Sequence, residues 1–155
     1  MGIEIERKFL VKNDAYKDKA SSAKFRQGYL STDLNRTVRV RSYDGKGYIT
    51  IKGKTQSISR EEYEYEIPPQ DADKMLDSLC LQPIIEKYRY FVEYKGLKWI
   101  IDEFTGVNYG LVVAEIELDR EDQIFERPDW AGTEITGDSR YFNSNLVNNP
   151  YREWK

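Results

Sequence analysis

Every second residue of the opening run Glu4-Ile5-Glu6-Arg7-Lys8 is ionisable, so in an extended chain Glu4, Glu6 and Lys8 project from one face. Ile3, Ile5, Phe9 and Val11 furnish an apolar opposite face. The segment is thereby confined to a strand whose charged side meets either solvent or a ligand cavity. Five further runs repeat the pattern. Arg39 and Arg41 flank Val40, Lys52 follows Thr50, Glu62 and Glu64 flank Tyr63, Lys87 and Arg89 flank Tyr88, and Glu115 and Glu117 flank Ile116. Asp102 stands alone in a seventh strand-like run.

Short alternating runs separated by turn residues predict an antiparallel β architecture. Strands are expected at 3–11, 24–31, 36–43, 47–53, 60–67, 84–95, 97–104 and 111–119, with Asp44-Gly45 and Gly96 supplying tight turns. Pro68-Pro69 stop the fifth run. The 71–79 stretch then reads as an amphipathic helix with Ala72, Met75, Leu76 and Leu79 on one face. A second helix is expected from Asp138, bringing Tyr141, Phe142, Asn145 and Leu146 toward the core and stopping at Asn148-Asn149-Pro150. The expected class is α+β, mainly antiparallel β with a few flanking helices, in one domain spanning residues 1–155.

Composition narrows the chemistry. The 24 basic and 27 acidic residues leave a net charge of -3, which gives no reason to expect nucleic-acid binding. With no histidine, imidazole metal sites and histidine acid–base catalysis are excluded, and any metal must bind oxygen, which favours Mg2+, Mn2+ or Ca2+. Cys80 has no cysteine to pair with. Without a basic-plus-apolar leader or a long apolar run, a cytoplasmic protein away from the membrane is expected.

A solvated sheet face explains any one charged pair. It explains the set less well, because like charges close together on a sheet repel. A closed eight-stranded barrel has an interior able to hold a small ligand, and its inward face would gather the charges into one basic and one acidic set. The basic set is Lys8, Arg39, Arg41, Lys52, Lys87 and Arg89; the acidic set is Glu4, Glu6, Glu62, Glu64, Asp102, Glu115 and Glu117. Buried cations call for a polyanion, and arginine and lysine suit phosphate oxygens. The carboxylates suit divalent ions. Together these are parts for phosphoryl transfer or hydrolysis.

The run Glu4-Ile5-Glu6-Arg7-Lys8 also resembles the ExExK signature of the CYTH superfamily, the triphosphate tunnel metalloenzymes. The resemblance continues in order through Gln27-Gly28-Tyr29-Leu30, Val38-Arg39-Val40-Arg41, Thr50-Ile51-Lys52, Arg60 with Glu62 and Glu64, and Lys87-Tyr88-Arg89-Tyr90. It ends with Trp99 and Asp102, Ala114-Glu115-Ile116-Glu117-Leu118, and Thr136-Gly137-Asp138 with Tyr141 and Asn143. It implies an eight-stranded antiparallel tunnel that hydrolyses a linear triphosphate with Mg2+ or Mn2+. By the same resemblance Glu4, Glu6, Glu115 and Glu117 would hold the metal, and Lys8, Arg39, Arg41, Lys52 and Arg89 would grip phosphate. Glu62, Glu64 and Asp102 would sit near the attacking water or a second ion, and Tyr29 and Lys87 would form a catalytic pair.

The expected substrate is a small molecule, tripolyphosphate or an organic triphosphate. An adenylyl cyclase or a nucleoside or thiamine triphosphatase of the same superfamily is the first alternative, and a polyphosphate-binding module without turnover the second. The sequence leaves a homodimer open, and leaves open whether the second helix plugs one tunnel end. Other residues read as structural: Cys80 at the end of the first helix, tyrosines such as Tyr63 and Tyr65 packed between outer wall and helices, and Trp99, Trp130 and Trp154 in packing. The 120–127 stretch reads as a solvated connection in which Ile124 and Phe125 are buried.

Overall fold

The computed structural model describes residues 2–154. Its strands are β1 (Gly2–Val11), β2 (Ser21–Ser31), β3 (Arg36–Tyr43), β4 (Lys46–Gly53), β5 (Ser59–Ile67), β6 (Ile85–Tyr94), β7 (Leu97–Phe104), β8 (Val112–Glu117) and β9 (Ala131–Glu134). Two helices, α1 (Pro69–Ser78) and α2 (Asn143–Asn148), complete it with short 3-10 turns. The sheet runs β5-β4-β3-β2-β6-β7-β8-β1-β9, and a β5–β1 pairing closes its first eight strands into a barrel. All pairings are antiparallel. One edge of β1 carries β8; the other carries β5 over Gly2–Ile5 and then β9 from Phe9 onward.

Two hairpins show why these strands are neighbours. Asp44 and Gly45 have φ of 53° and 72°, and Lys95 and Gly96 have φ of 51° and 79°. Consecutive left-handed residues twist a two-residue turn to match right-handed strands. Apolar parity then sorts the packing. On the outer wall of β1, β7 and β8, Phe9, Trp99, Ile101 and Ile116 are sealed beneath Tyr16 and Trp130. Helix α1 lays Ala72 and Leu76 on Val40, and Cys80 joins them. The approach is close at Gly47, where a Cβ would lie 2.6 Å from that of Ala72.

A third cluster lies inside one end of the barrel. Inward-facing Tyr29, Ile85, Phe104 and Val113 pack against Ile135 and against Leu146 and Val147 of α2. Each fully buried aliphatic side chain of this kind contributes about 1.5–3 kcal/mol. The second helix therefore covers that end on the β2–β6 side.

Several sequence expectations are corrected. The helix expected from Asp138 is broken: Ser139–Tyr141 is a 3-10 turn whose Arg140 N–H donates to Asp138, Phe142 is extended, and α2 starts at Asn143. The break turns the Phe142 ring toward the barrel, 5.9 Å from Lys8 Nζ. Strand β9 was not expected, because four residues containing Gly132 carry no alternation; β1 recruits it where β5 has left a free edge. Leu79 follows the last turn of α1 and is 66% exposed. Tyr63 and Tyr65 are exposed because α1 packs on β3 and β4 rather than on β5. Ile124 is 93% exposed, whereas Phe125 meets the rings of Phe9 and Trp99. Trp99 and Trp130 are buried as expected, and Trp154 packs edge-on to Tyr141 and Tyr151. Among the described residues no helix is long and apolar enough to cross a membrane.

Candidate functional site

Strand register decides which charges meet. Lys52 lies opposite Glu62, Lys8 opposite Glu115, Glu6 opposite Glu117 and Arg89 opposite Asp102. Signs mostly change between neighbouring strands. The expected separation into one basic and one acidic set is therefore corrected: the two interleave as cross-strand ion pairs, the arrangement that relieves like-signed runs most directly.

These side chains enclose a cavity of about 440 Å³. Basic Lys8, Arg39, Arg41, Lys52, Arg60, Lys87, Arg89 and Lys98 line it with acidic Glu4, Glu6, Glu62, Glu64, Glu115 and Glu117. Tyr29, Ile58, Ile100 and Phe142 are its main apolar lining. Of the residues singled out in the sequence, Asp102 alone is missing from the wall. Opposite Arg89 in register, it is 5% exposed, and both its oxygens are occupied. Oδ2 accepts from Lys87 Nζ at 2.8 Å and Arg89 Nη2 at 3.0 Å, and Oδ1 accepts from Arg89 Nε at 2.8 Å. Asp102 therefore anchors two cations from behind rather than sitting beside a reacting water.

The remaining cations divide by how well they are paired. Lys52 Nζ donates to both oxygens of Glu4 at 2.9 and 3.1 Å, and Arg60 Nε reaches Glu4 at 3.4 Å. Burial alone would raise the Glu4 carboxyl, but Lys52 and Arg60 outweigh it and hold it at about 2. Arg39 and Arg41 are served less well. They share Glu64, at 3.6 and 3.0 Å, and the Nε of each is buried without a hydrogen-bond partner. Burial, then Arg39 and Arg89, push the Arg41 guanidinium down to about 10. Two crowded guanidiniums that share one carboxylate at the cavity wall fit an anionic ligand.

Across the cavity the imbalance has the opposite sign. Burial and the neighbouring Glu115 push the Glu6 carboxyl up to about 7, and burial, Glu4 and Glu115 raise that of Glu117. Lys8, 3.6 Å from Glu6, is held above its ordinary value by Glu6 and Glu115 although burial opposes this. Glu6, Glu115 and Glu117 thus share little positive charge, and their hard oxygen donors fit a divalent cation. Glu4, expected beside them, is engaged by Lys52 and Arg60. Among the described residues no three such side chains already form a finished metal cage.

Lys87 is 1% exposed, and burial pushes its amine down to about 7 although Asp102 opposes the shift. Its Nζ also donates to Asn143 Oδ1 at 3.2 Å. Tyr29, on neighbouring β2, lines the same cavity. The sequence resemblance includes Arg60, Gln27 and Asn143 without giving them a role, and Phe142 is expected only near the core. Parity with Glu62 and Glu64 marks Arg60 as inward-facing, whereas Asn143 lies on a segment without strand periodicity and is marked only by the family resemblance.

A closed antiparallel barrel enclosing such a cavity is a triphosphate-tunnel fold, and the chain belongs to the CYTH domain family, which it matches over residues 2–151. An inorganic triphosphatase of Acetivibrio thermocellus is 54% identical to it over 155 residues, all of this chain and 99% of the relative. One from Nitrosomonas europaea is 35% identical over 149 residues, covering 93% of this chain and 96% of the relative. The crystal structure of an inorganic triphosphatase superposes with a TM-score of 0.68 at 34% identity, covering 93% of this chain and 97% of the other.

Proposed function

We propose that this chain is a metal-dependent triphosphatase that hydrolyses inorganic triphosphate to pyrophosphate and phosphate. The observation that carries the reading is a cavity walled by eight lysines and arginines, among them Arg39 and Arg41, which have only Glu64 to share between them. The names of the full-length relatives support it. Those names also favour an inorganic chain over a nucleoside triphosphate.

In this reading Arg39, Arg41, Lys52, Arg89 and Lys8 hold the phosphate chain, so that positioning and charge stabilisation do most of the catalysis. Glu6, Glu115 and Glu117 are the carboxylates best suited to hold Mg2+ or Mn2+, with Glu4 joining if Lys52 turns to phosphate. When bound, that ion would polarise a phosphoryl oxygen. The neutral Lys87 amine takes a proton from the attacking water as the new P–O bond forms and the anhydride P–O bond breaks. Tyr29 donates a hydrogen bond to a phosphoryl oxygen, and Glu62 and Glu64 set the orientation of Lys52 and the arginines.

The test is kcat/KM for tripolyphosphate, ATP and pyrophosphate under one metal condition. Tripolyphosphate is expected to lead. Pyrophosphate forgoes contacts at one end, and each lost charge-assisted contact costs about 1.5–3 kcal/mol, roughly 10–100-fold. A clear lead for ATP, or release of cyclic AMP, would overturn the inorganic assignment, and absence of turnover beside measurable binding would favour the polyphosphate-binding module.

Metal binding has a readout independent of turnover. A carboxyl titrating near 7 in the folded state and near 4.5 when unfolded binds its proton more tightly in the native protein, so stability falls as pH rises between those values. Glu6→Gln should remove that loss and raise Tm of the metal-free protein at pH 8. In the wild type, Mg2+ or Mn2+ at about 100-fold over Kd should add about 2.7 kcal/mol. The same ion should add little to Glu6→Gln. Equal stabilisation of both proteins would remove Glu6 from the metal site.

A further inference from the structure

Asn143 is held by one end of its amide. Its Oδ1 accepts from Gln27 Nε2 at 3.2 Å and from Lys87 Nζ at 3.2 Å, which occupies both lone pairs of the oxygen. A protonated Lys87 amine can only donate, which assigns this atom as the oxygen and the other end as the NH2 group. That Nδ2 makes no hydrogen bond among the described residues. It is not one of their sealed, unpartnered buried atoms either, and Asn143 lines the cavity. The donor therefore opens into the cavity beside Lys87.

The amide is rigidly aimed. Gln27 is fully buried, and α2 is fixed in the barrel end by Leu146 and Val147. Facing inward from such a support, an amide NH2 with two free hydrogens suits an oxygen-rich ligand.

We propose that Asn143 is a substrate-binding residue whose Nδ2 donates to a phosphoryl oxygen of the bound triphosphate next to Lys87. The inference rests on the triphosphate reading above and assigns it one more contact. A neutral donor suits this position. It adds a hydrogen bond without another cation, which would make Lys87 a weaker proton acceptor. On a phosphoryl oxygen that gains charge during reaction, a fixed donor also stabilises the transition state.

The direct test follows the side-chain NH2 resonances of Asn143 in wild-type protein, assigned through its own backbone, so that no variant has to fold. On titration with tripolyphosphate in the absence of metal, both cross-peaks should shift along a saturating curve. In parallel, Asn143→Asp and Asn143→Ala should each raise Kd for tripolyphosphate about 10-fold or more, as expected for a hydrogen bond to a charged group. Gln27→Leu removes only one of the groups aiming the amide and should raise Kd less. Asn143 resonances that stay still at saturation while the backbone amides of Arg39 and Lys87 shift would overturn the inference and leave the triphosphate reading intact. Failure of any resonance to respond to tripolyphosphate both without metal and with Mg2+ would overturn both.

Discussion

Lys87→Met is expected to lower kcat by about 10²–10⁴-fold, the usual worth of a positioned general base, while changing KM much less. Methionine keeps most of the volume of the buried side chain, and Asp102 retains its two hydrogen bonds to Arg89, so the barrel should remain folded. The pH profile gives a second signature. A base must be neutral, and the amine is pushed down to about 7 by burial. At saturating metal, where Glu6 is held ionised, kcat should rise about tenfold per pH unit below 7 and level off above it. The rising limb should be absent from Lys87→Met. A Lys87→Met enzyme with unchanged kcat and the same limb would transfer the role of base to another group. Tyr29→Phe, which removes only a hydrogen-bonding hydroxyl, should lower kcat by less.

Asp102→Ala is expected to be the most destabilising single change in the cavity wall, costing about 3–5 kcal/mol in denaturant unfolding. The reason is what it leaves behind. Lys87 and Arg89 both lie at or below 10% side-chain exposure, and without Asp102 the nearest remaining carboxylate for Arg89 is Glu115 at 3.8 Å. Burial alone would raise the Asp102 carboxyl, but Arg89 and then Lys87 outweigh it and hold it well below the ordinary range. Such a carboxylate contributes fully above its unfolded value of about 3.8, and the contribution is lost as pH falls through the lower folded value. Wild type and Asp102→Ala should therefore differ fully at neutral pH and converge in strong acid. Adding Lys87→Met to Asp102→Ala should restore part of the loss, because a buried amine stranded without Asp102 goes with it. A loss below about 1 kcal/mol, the range of exposed ion pairs, would mean that water reaches the network.

Much of this fold is legible because strand periodicity is local. The alternation in 36–43 and 97–104 predicts β3 and β7 with their observed ends, and the Asp44-Gly45 dipeptide places the hairpin between β3 and β4. Inward parity of Glu4, Glu6 and Lys8, of Arg39 and Arg41, and of Lys87 and Arg89 follows from the same two-residue period. The resemblance to one family joined these runs into a tunnel before any pairing was visible.

Partnership is a different matter, because it depends on register between strands that are distant in the chain. Nothing near Asp102 in sequence announces that it lies opposite Arg89 and takes Lys87 as well, and this register turns a candidate ion ligand into a buried anchor. Glu4 is likewise engaged by Lys52 and Arg60 only because closure of the barrel brings β1 against β5, with β4 alongside. Strand β9 and the broken second helix have too few residues to carry a period; β9 is selected by the vacant edge of β1 and α2 by the apolar barrel end. The sequence by itself determined which side chains face inward, since that needs only the pleat of each strand. Tertiary structure decided which of them neutralise one another and which, like Arg39 and Arg41, are left to share a single carboxylate at the cavity wall, because ion pairing and desolvation depend on distances that exist only once the barrel has closed.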